Sequence, residues 1–126
     1  MNKKTHLEFN FNNFLLAMSM MFDKVETSFY QTKPNHTKRV AFLSLKIGEK
    51  FNLSLEELSN LCSYTLLHNN GLCQSHNTLK HNCEVSQENS EGLPFIDFQK
   101  NILLYQQERY DGNGIHGLKG DELPLF

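Results

Sequence analysis

Apolar residues in this chain recur at three- and four-residue steps, and no segment alternates apolar with polar residues as a half-buried strand must. That spacing restricts the chain to helices that bury one side. Phe14, Ala17, Met18, Met21, Val25 and Phe29 share one face of a first helix, with Asn10, Asn12 and Asn13 ahead of it as caps. Pro34 breaks the chain, Asn35 stands where it can cap, and Val40, Leu43, Ile47 and Phe51 repeat the period from His36. Ser54-Leu55-Glu56-Glu57 has the spacing of a capping box, in which the serine oxygen and the glutamate carboxylate satisfy helix-end amides reciprocally. Leu58, Leu61, Cys62, Thr65 and Leu66 continue it as a third helix, and Asn69-Asn70-Gly71 offer residues that tolerate a left-handed stop.

Beyond that point the pattern weakens. Residues 72–83 are polar and mixed, a short helix fits 85–89, Gly92 and Pro94 punctuate, and Phe98, Ile102, Leu103 and Tyr105 suggest a last helix up to Gln107. The expected organisation is a single all-α domain, 1–126. It has a helix over about 12–30, helices over about 36–69, an irregular stretch 70–95, a helix over about 97–107 and a glycine-rich loop 108–126.

Composition removes several function classes. A net charge of −2 supplies no basic face to track a phosphate backbone, which excludes general nucleic-acid binding. The longest apolar run, 14–22, is interrupted by Ser19 and is far short of the roughly 20 residues of a membrane span. No small-residue cleavage site follows it, so no secretory signal is expected. Cys62, Cys73 and Cys83 make an odd count that cannot pair completely within one chain, and a reducing cytoplasm is the simpler setting.

The most specific stretch is Gln106-Gln107-Glu108, then Asp111-Gly112-Asn113-Gly114-Ile115-His116, Gly117-Leu118-Lys119-Gly120 and Leu123-Pro124-Leu125. It resembles the signature of HD-GYP phosphohydrolases: His-His-Glu, Asp-Gly-x-Gly-Tyr-Pro, Gly-Leu-x-Gly and Ile-Pro-Leu. The resemblance extends backwards to His36 in His36-Thr37-Lys38-Arg39-Val40 and to His68-Asn69, where the family has a His-Asp pair. It also takes in Asn82-Cys83-Glu84-Val85-Ser86-Gln87-Glu88-Asn89, similar to His-Cys-x-x-Gly-Glu-x-Asn.

The resemblance implies an HD-domain-like helical bundle and metal-dependent hydrolysis of cyclic di-GMP in bacterial second-messenger signalling. Imidazoles ligate divalent transition metals, one carboxylate bridges two of them, and the pair activates a water for in-line attack. The frame is kept here and the ligands are not. Asn69 stands at the bridging aspartate, Asn82 at a histidine, and Gln106 and Gln107 at the histidine pair. His81 is one residue out of register with Asn82, which on a helix turns it about a hundred degrees away. Leu72 occupies a frequent lysine position, Ser86 a glycine, and Ile115-His116 the Tyr-Pro. Family domains continue into further helices where this chain stops at Phe126, so the bundle is expected to be incomplete at its C-terminus. That would leave the apolar faces of the helices around His36 and Phe98 open to self-association or a covering protein partner.

The expected vestigial metal site is therefore His36, His68, Asn69, Asn82, Gln106 and Gln107, without a catalytic set and without a resident cofactor. Iron, manganese or zinc at reduced occupancy is the fallback. Against silence with a binding or scaffolding role stands a weakened phosphohydrolase using His36 and His68, with His81 as a third ligand. A third reading lets Gly112, Gly114, Gly117 and Gly120, next to Asp111, bind a cyclic dinucleotide through backbone amides. Their blander role is to permit positive φ in successive turns. A decayed reading frame is the fourth. Cys73, His76, His81 and Cys83 fall within eleven residues and invite a structural zinc, although the His81–Cys83 spacing is tighter than zinc motifs use. Incidental cysteines in a polar loop are the ordinary alternative.

Overall fold

The computed structural model describes residues 8–73, 78–94 and 99–124. Four α-helices follow in order: α1 (Phe11–Tyr30), α2 (His36–Lys50), α3 (Leu55–Leu67) and α4 (Leu79–Ser90), with short 3₁₀ turns at Asn70–Cys73 and Gly120–Glu122. The described residues contain no β-strand, only an isolated bridge between Asp111 and Lys119. The fold is all-α, and no described helix is long and apolar enough to cross a membrane.

Local chemistry sets three of the four starts. The Asn10 side chain accepts from the Asn13 amide at 3.0 Å and opens α1. Ser54 and Glu57 form the expected box at α3, with Glu57 accepting from the Ser54 amide at 2.7 Å and Ser54 from the Glu57 amide at 3.2 Å. Thr78 accepts from the His81 amide at 3.1 Å and opens α4. The start of α2 is different. Asn35 sits at the cap position in a left-handed conformation (φ 60°), and its side chain makes no capping bond. Asp23, from the middle of α1, supplies the carboxylate instead and accepts from the buried Thr37 amide at 2.9 Å.

The first three helices stand where the spacing puts them; the faces they bury match it only in part. On α1 the buried positions are Leu15, Ser19, Phe22, Asp23 and Glu26, while Ala17, Met21 and Phe29 of the expected face are exposed. Phe14 and Met18 of that face are half-buried against the core, but three of the five fully buried residues are polar, so hydropathy marks the inward side only in part. On α2 the inward residues are Thr37, Ala41 and Gly48, and the apolar row Leu43, Ile47 and Phe51 lies in solvent. Small residues let the helices approach: a Cβ on Gly48 would meet Leu58 Cδ2 at 2.9 Å and Leu53 Cδ1 at 3.0 Å. The apolar face expected to be left open on α2 is open. The corresponding expectation for Phe98 lies outside the described residues.

Further corrections concern the second half. Asn69, Asn70 and Gly71 do not adopt the left-handed stop; α3 passes through His68 into the 3₁₀ turn. In the stretch expected to be irregular, 70–95, the short helix expected over 85–89 is part of a longer one, the twelve-residue α4. The expected helix over 97–107 is, over 100–107, a run of turns entered through Asn101 at φ 70°.

The core joins Leu15 and Phe22 of α1, Ala41 of α2, Tyr64, Leu66 and Leu67 of α3, and Leu103. Each fully buried Leu or Phe contributes roughly 1.5–3 kcal/mol by leaving water. Tyr64 also ties the late segment to α3: its hydroxyl accepts from the Gln99 amide at 2.5 Å and lies 3.2 Å from the Gln99 carbonyl. α4 is held differently, by a polar seam. Asn70 Nδ2 donates to Ser86 O at 3.2 Å and Ser90 Oγ at 3.0 Å, and the Gly71 amide donates to Ser86 Oγ at 2.9 Å. A Cβ on Gly71 would fall 2.2 Å from Asn82 O, so only glycine allows this approach.

Because Asp23 caps α2 from another helix, Asp23→Ala should lower the unfolding free energy by about 1–2 kcal/mol. Asn35→Gly, which removes no capping bond and keeps the left-handed residue, should change it by less than half as much. Urea unfolding of the two variants against the native chain checks this.

Candidate functional site

Helix ends meet at one point of the bundle. His36 is the first residue of α2, His68 follows the last residue of α3, Asn69 comes next, and Asn82 lies one turn into α4. Together with Gln107 they line a cavity of about 480 Å³ whose other walls include Glu26, Tyr30, Leu72, Thr78 and Leu79. Five of the six positions singled out from the sequence thus converge, although they come from separate elements. The sixth does not line it: Gln106 donates through Nε2 to the His68 carbonyl at 3.0 Å.

The His36 and His68 rings lie 5.6 Å apart, centroid to centroid. His68 Nδ1 sits 2.6 Å from the Thr65 carbonyl, which assigns the proton to that nitrogen. Burial lowers the His68 pKa, with His36 acting in the same direction; the bond to Thr65 and the charge of Asp23 oppose it. Hydropathy concealed one further member. Glu26 is buried, reaches within 3.9 Å of His36 Nε2, and has the Asn69 side chain as a hydrogen-bonding neighbour. Burial raises its pKa, Asp23 adds to this, and His36, Asn69 and Arg39 work against it. The sequence did contain a signal: Glu26 stands three residues after Asp23, on the same side of α1.

Around these groups the wall is neutral and incompletely bonded. Asn82 Oδ1 is buried without a partner. Among the described residues no three His, Cys, Asp or Glu side chains come together as a ligand set for an ion. An amide oxygen carries no charge and bridges two cations poorly, so the donors present do not suit the pair of metals that the resemblance implies.

The four-residue zinc set is not assembled by the described part. His81 and Cys83 stand on opposite sides of α4: His81 is exposed, 3.5 Å from Glu84, while Cys83 is buried, and burial raises its thiol pKa. His76 and the side chain of Cys73 lie outside the described residues.

The glycine-rich loop closes around its own anion. Glu108, its side chain 1 % exposed, accepts from the His116 amide at 2.6 Å and the Leu118 amide at 2.8 Å, and His116 Nδ1 lies 3.4 Å away. Other loop amides are also committed internally: Gly112 to Arg109 O, Asn113 to Asp111 Oδ1, Lys119 to Glu122 Oε2 and Gly120 to Tyr110 O. These amides are therefore not free to cradle a phosphate. Gly112, Gly117 and Gly120 adopt the positive φ expected of them, but Gly114 does not. Gly114 is required by contact, since a Cβ there would lie 2.5 Å from Glu108 Cα.

Comparison with protein-family models, curated proteins and solved structures found no match.

Burial acts to raise the Glu108 pKa, but its bonds to His116 and Leu118 outweigh it and hold the carboxyl below 4.5, its ordinary value. Its contribution to loop stability is then complete above 4.5 and lost as pH falls through the lower folded value. Acid titration followed by the His116 and Leu118 amide resonances should show the loop opening in that window. Glu108→Gln should abolish the transition, leaving the loop open at neutral pH because its NH2 would face one of the two N–H groups that the separate carboxylate oxygens now accept from.

Proposed function

We propose that this chain is a catalytically silent relative of HD-GYP phosphohydrolases, in which the former metal cleft persists as a largely neutral pocket with a binding or scaffolding role. The observation that carries this reading is the convergence of His36, His68, Asn69, Asn82 and Gln107 on one cavity. Residues matched to a motif by chance would have no reason to meet there from separate elements. Their chemistry supports silence. A two-metal hydrolase needs ligands that fix the spacing of both ions and a carboxylate that bridges them, and Asn69 cannot replace the carboxylate. Hydrolysis of cyclic di-GMP belongs on this reading to the resemblance and not to this chain.

The open apolar row on α2 supports the scaffolding half of the role. Leu43, Ile47 and Phe51 are each more than half exposed, with Lys46, Glu49 and Lys50 alongside. A second copy of the chain laid antiparallel on this row would bury the apolar side chains and meet both signs of charge.

Purified chain should hold less than a tenth of an equivalent of iron, manganese or zinc by elemental analysis, on the scale expected of a site lacking its bridging ligand. It should not hydrolyse cyclic di-GMP with manganese or iron added. Light scattering on the same samples should show a mass above the monomer, returned to monomer by Ile47→Lys. Stoichiometric metal with turnover abolished by His68→Ala would overturn silence in favour of a weakened phosphohydrolase.

A further inference from the structure

Two rows at four-residue steps lie side by side on α2. Leu43, Ile47 and Phe51 form a ridge that stands out into solvent. Val40, Ser44 and Gly48 form the row beside it, smaller at each step and ending in a residue without a side chain. A Cβ at Gly48 would meet Leu58, Leu53 and Leu61, which belong to α3 and the turn before it, at 2.9, 3.0 and 3.2 Å. The small row opens into a cavity of about 440 Å³ lined by Ser44, Ile47, Gly48, Phe51, Leu53 and Leu61. No charged side chain lines it, and Lys46, on the solvent side of α2, is held by Glu49 of its own chain at 2.9 Å.

We infer that this ridge and this cavity are the two halves of one interface: in a two-fold pair of chains, the ridge of each α2 enters the cavity of the other. The spacing fixes the register. With the two α2 helices opposed in direction, one two-fold sets Leu43 over the second copy's Gly48, Ile47 over its Ser44 and Phe51 against its Val40. All three matches hold at once because both rows advance by the same four residues. Interdigitation of such rows is the commonest way helices pack, at a crossing angle of about 50°. The large side chains leave water where the small row leaves room, and the apolar lining offers a charged occupant nothing in exchange for its hydration. Each chain contributes ridge and cavity together, so the contact closes after two copies and does not propagate. This dimer rests on reading the α2 row as a surface for a second copy; the register and the stop at two chains go beyond that reading.

Sedimentation velocity on two variants of the full chain and on their mixture tests it. Ile47→Lys and Ser44→Glu should each be monomeric at concentrations where the native chain is a dimer, because each sets a charge against apolar surface at both symmetry-related contacts. Mixed in equal amounts, they should regain the mass of two chains. The introduced ammonium then faces the introduced carboxylate at one contact, while native Ile47 meets native Ser44 at the other. The reversed pair, Ile47→Glu with Ser44→Lys, should behave alike and replaces the first if either chain fails to fold by circular dichroism. A native chain that sediments as a monomer would overturn both the dimer and the reading of the α2 row beneath it, leaving the cavity to another occupant. A dimer that survives Ser44→Glu but not Ile47→Lys would overturn the register alone, as would folded variants that stay monomeric when mixed. A native mass above two chains would overturn the closed pair.

Discussion

One hydrogen bond sets the geometry of the site: the Asp23 carboxylate of α1 accepts the Thr37 amide at the N-terminus of α2. A helix N-terminus carries unsatisfied amides and partial positive charge, so a buried carboxylate there is favoured both as an acceptor and as a charge. Because the acceptor comes from another helix, the bond also fixes where α2 begins relative to α1. That places His36 within reach of Glu26, one turn further along α1, and makes the two helices adjacent walls of the cavity. Asp23 then acts on both neighbours, opposing ionisation of Glu26 and favouring protonation of His68.

The other half of the site depends on polar packing of a different kind. α4 turns Asn82, Cys83, Ser86, Gln87 and Ser90 inward, and Asn70, Gly71 and Asn89 complete a hydrogen-bonded seam. Ser86 is the centre of that seam. It accepts from Gly71 and faces the His68 carbonyl, which Gln106 also engages. Ser86 and Gln106 thus hold the end of α3 in place. Satisfied buried networks specify geometry strongly because each unmade bond is expensive in a low-dielectric interior.

Legibility in the sequence followed chemistry that acts locally. The Asn10 cap and the Ser54–Glu57 box need only neighbouring residues, and both were readable. The inward faces were so only in part. On α1 the buried set includes Ser19, Asp23 and Glu26, on α2 it is small residues, and on α4 it is almost entirely polar, so apolar periodicity points outward or vanishes. For α2 the period itself was correct but marks the face that α3 does not cover. Most of the cavity positions were legible through motif spacing, whereas Glu26 was hidden because nothing in a single helix shows that a mid-helix glutamate is buried against another one. In the glycine loop, positive φ was legible for Gly112, Gly117 and Gly120, but the contact of Gly114 with Glu108 required the folded loop.

We propose that a metal-ligand framework is retained in register and disabled by side-chain identity. Restoring Asn69→Asp, Asn82→His and Gln107→His together, then measuring manganese or iron by elemental analysis after loading and desalting, tests it most directly. Stoichiometric metal is expected in the triple variant and near none in the native chain, with no further gain from adding Gln106→His, whose side chain is committed to the His68 carbonyl. A folded triple variant that retains no more metal than the native chain would contradict it.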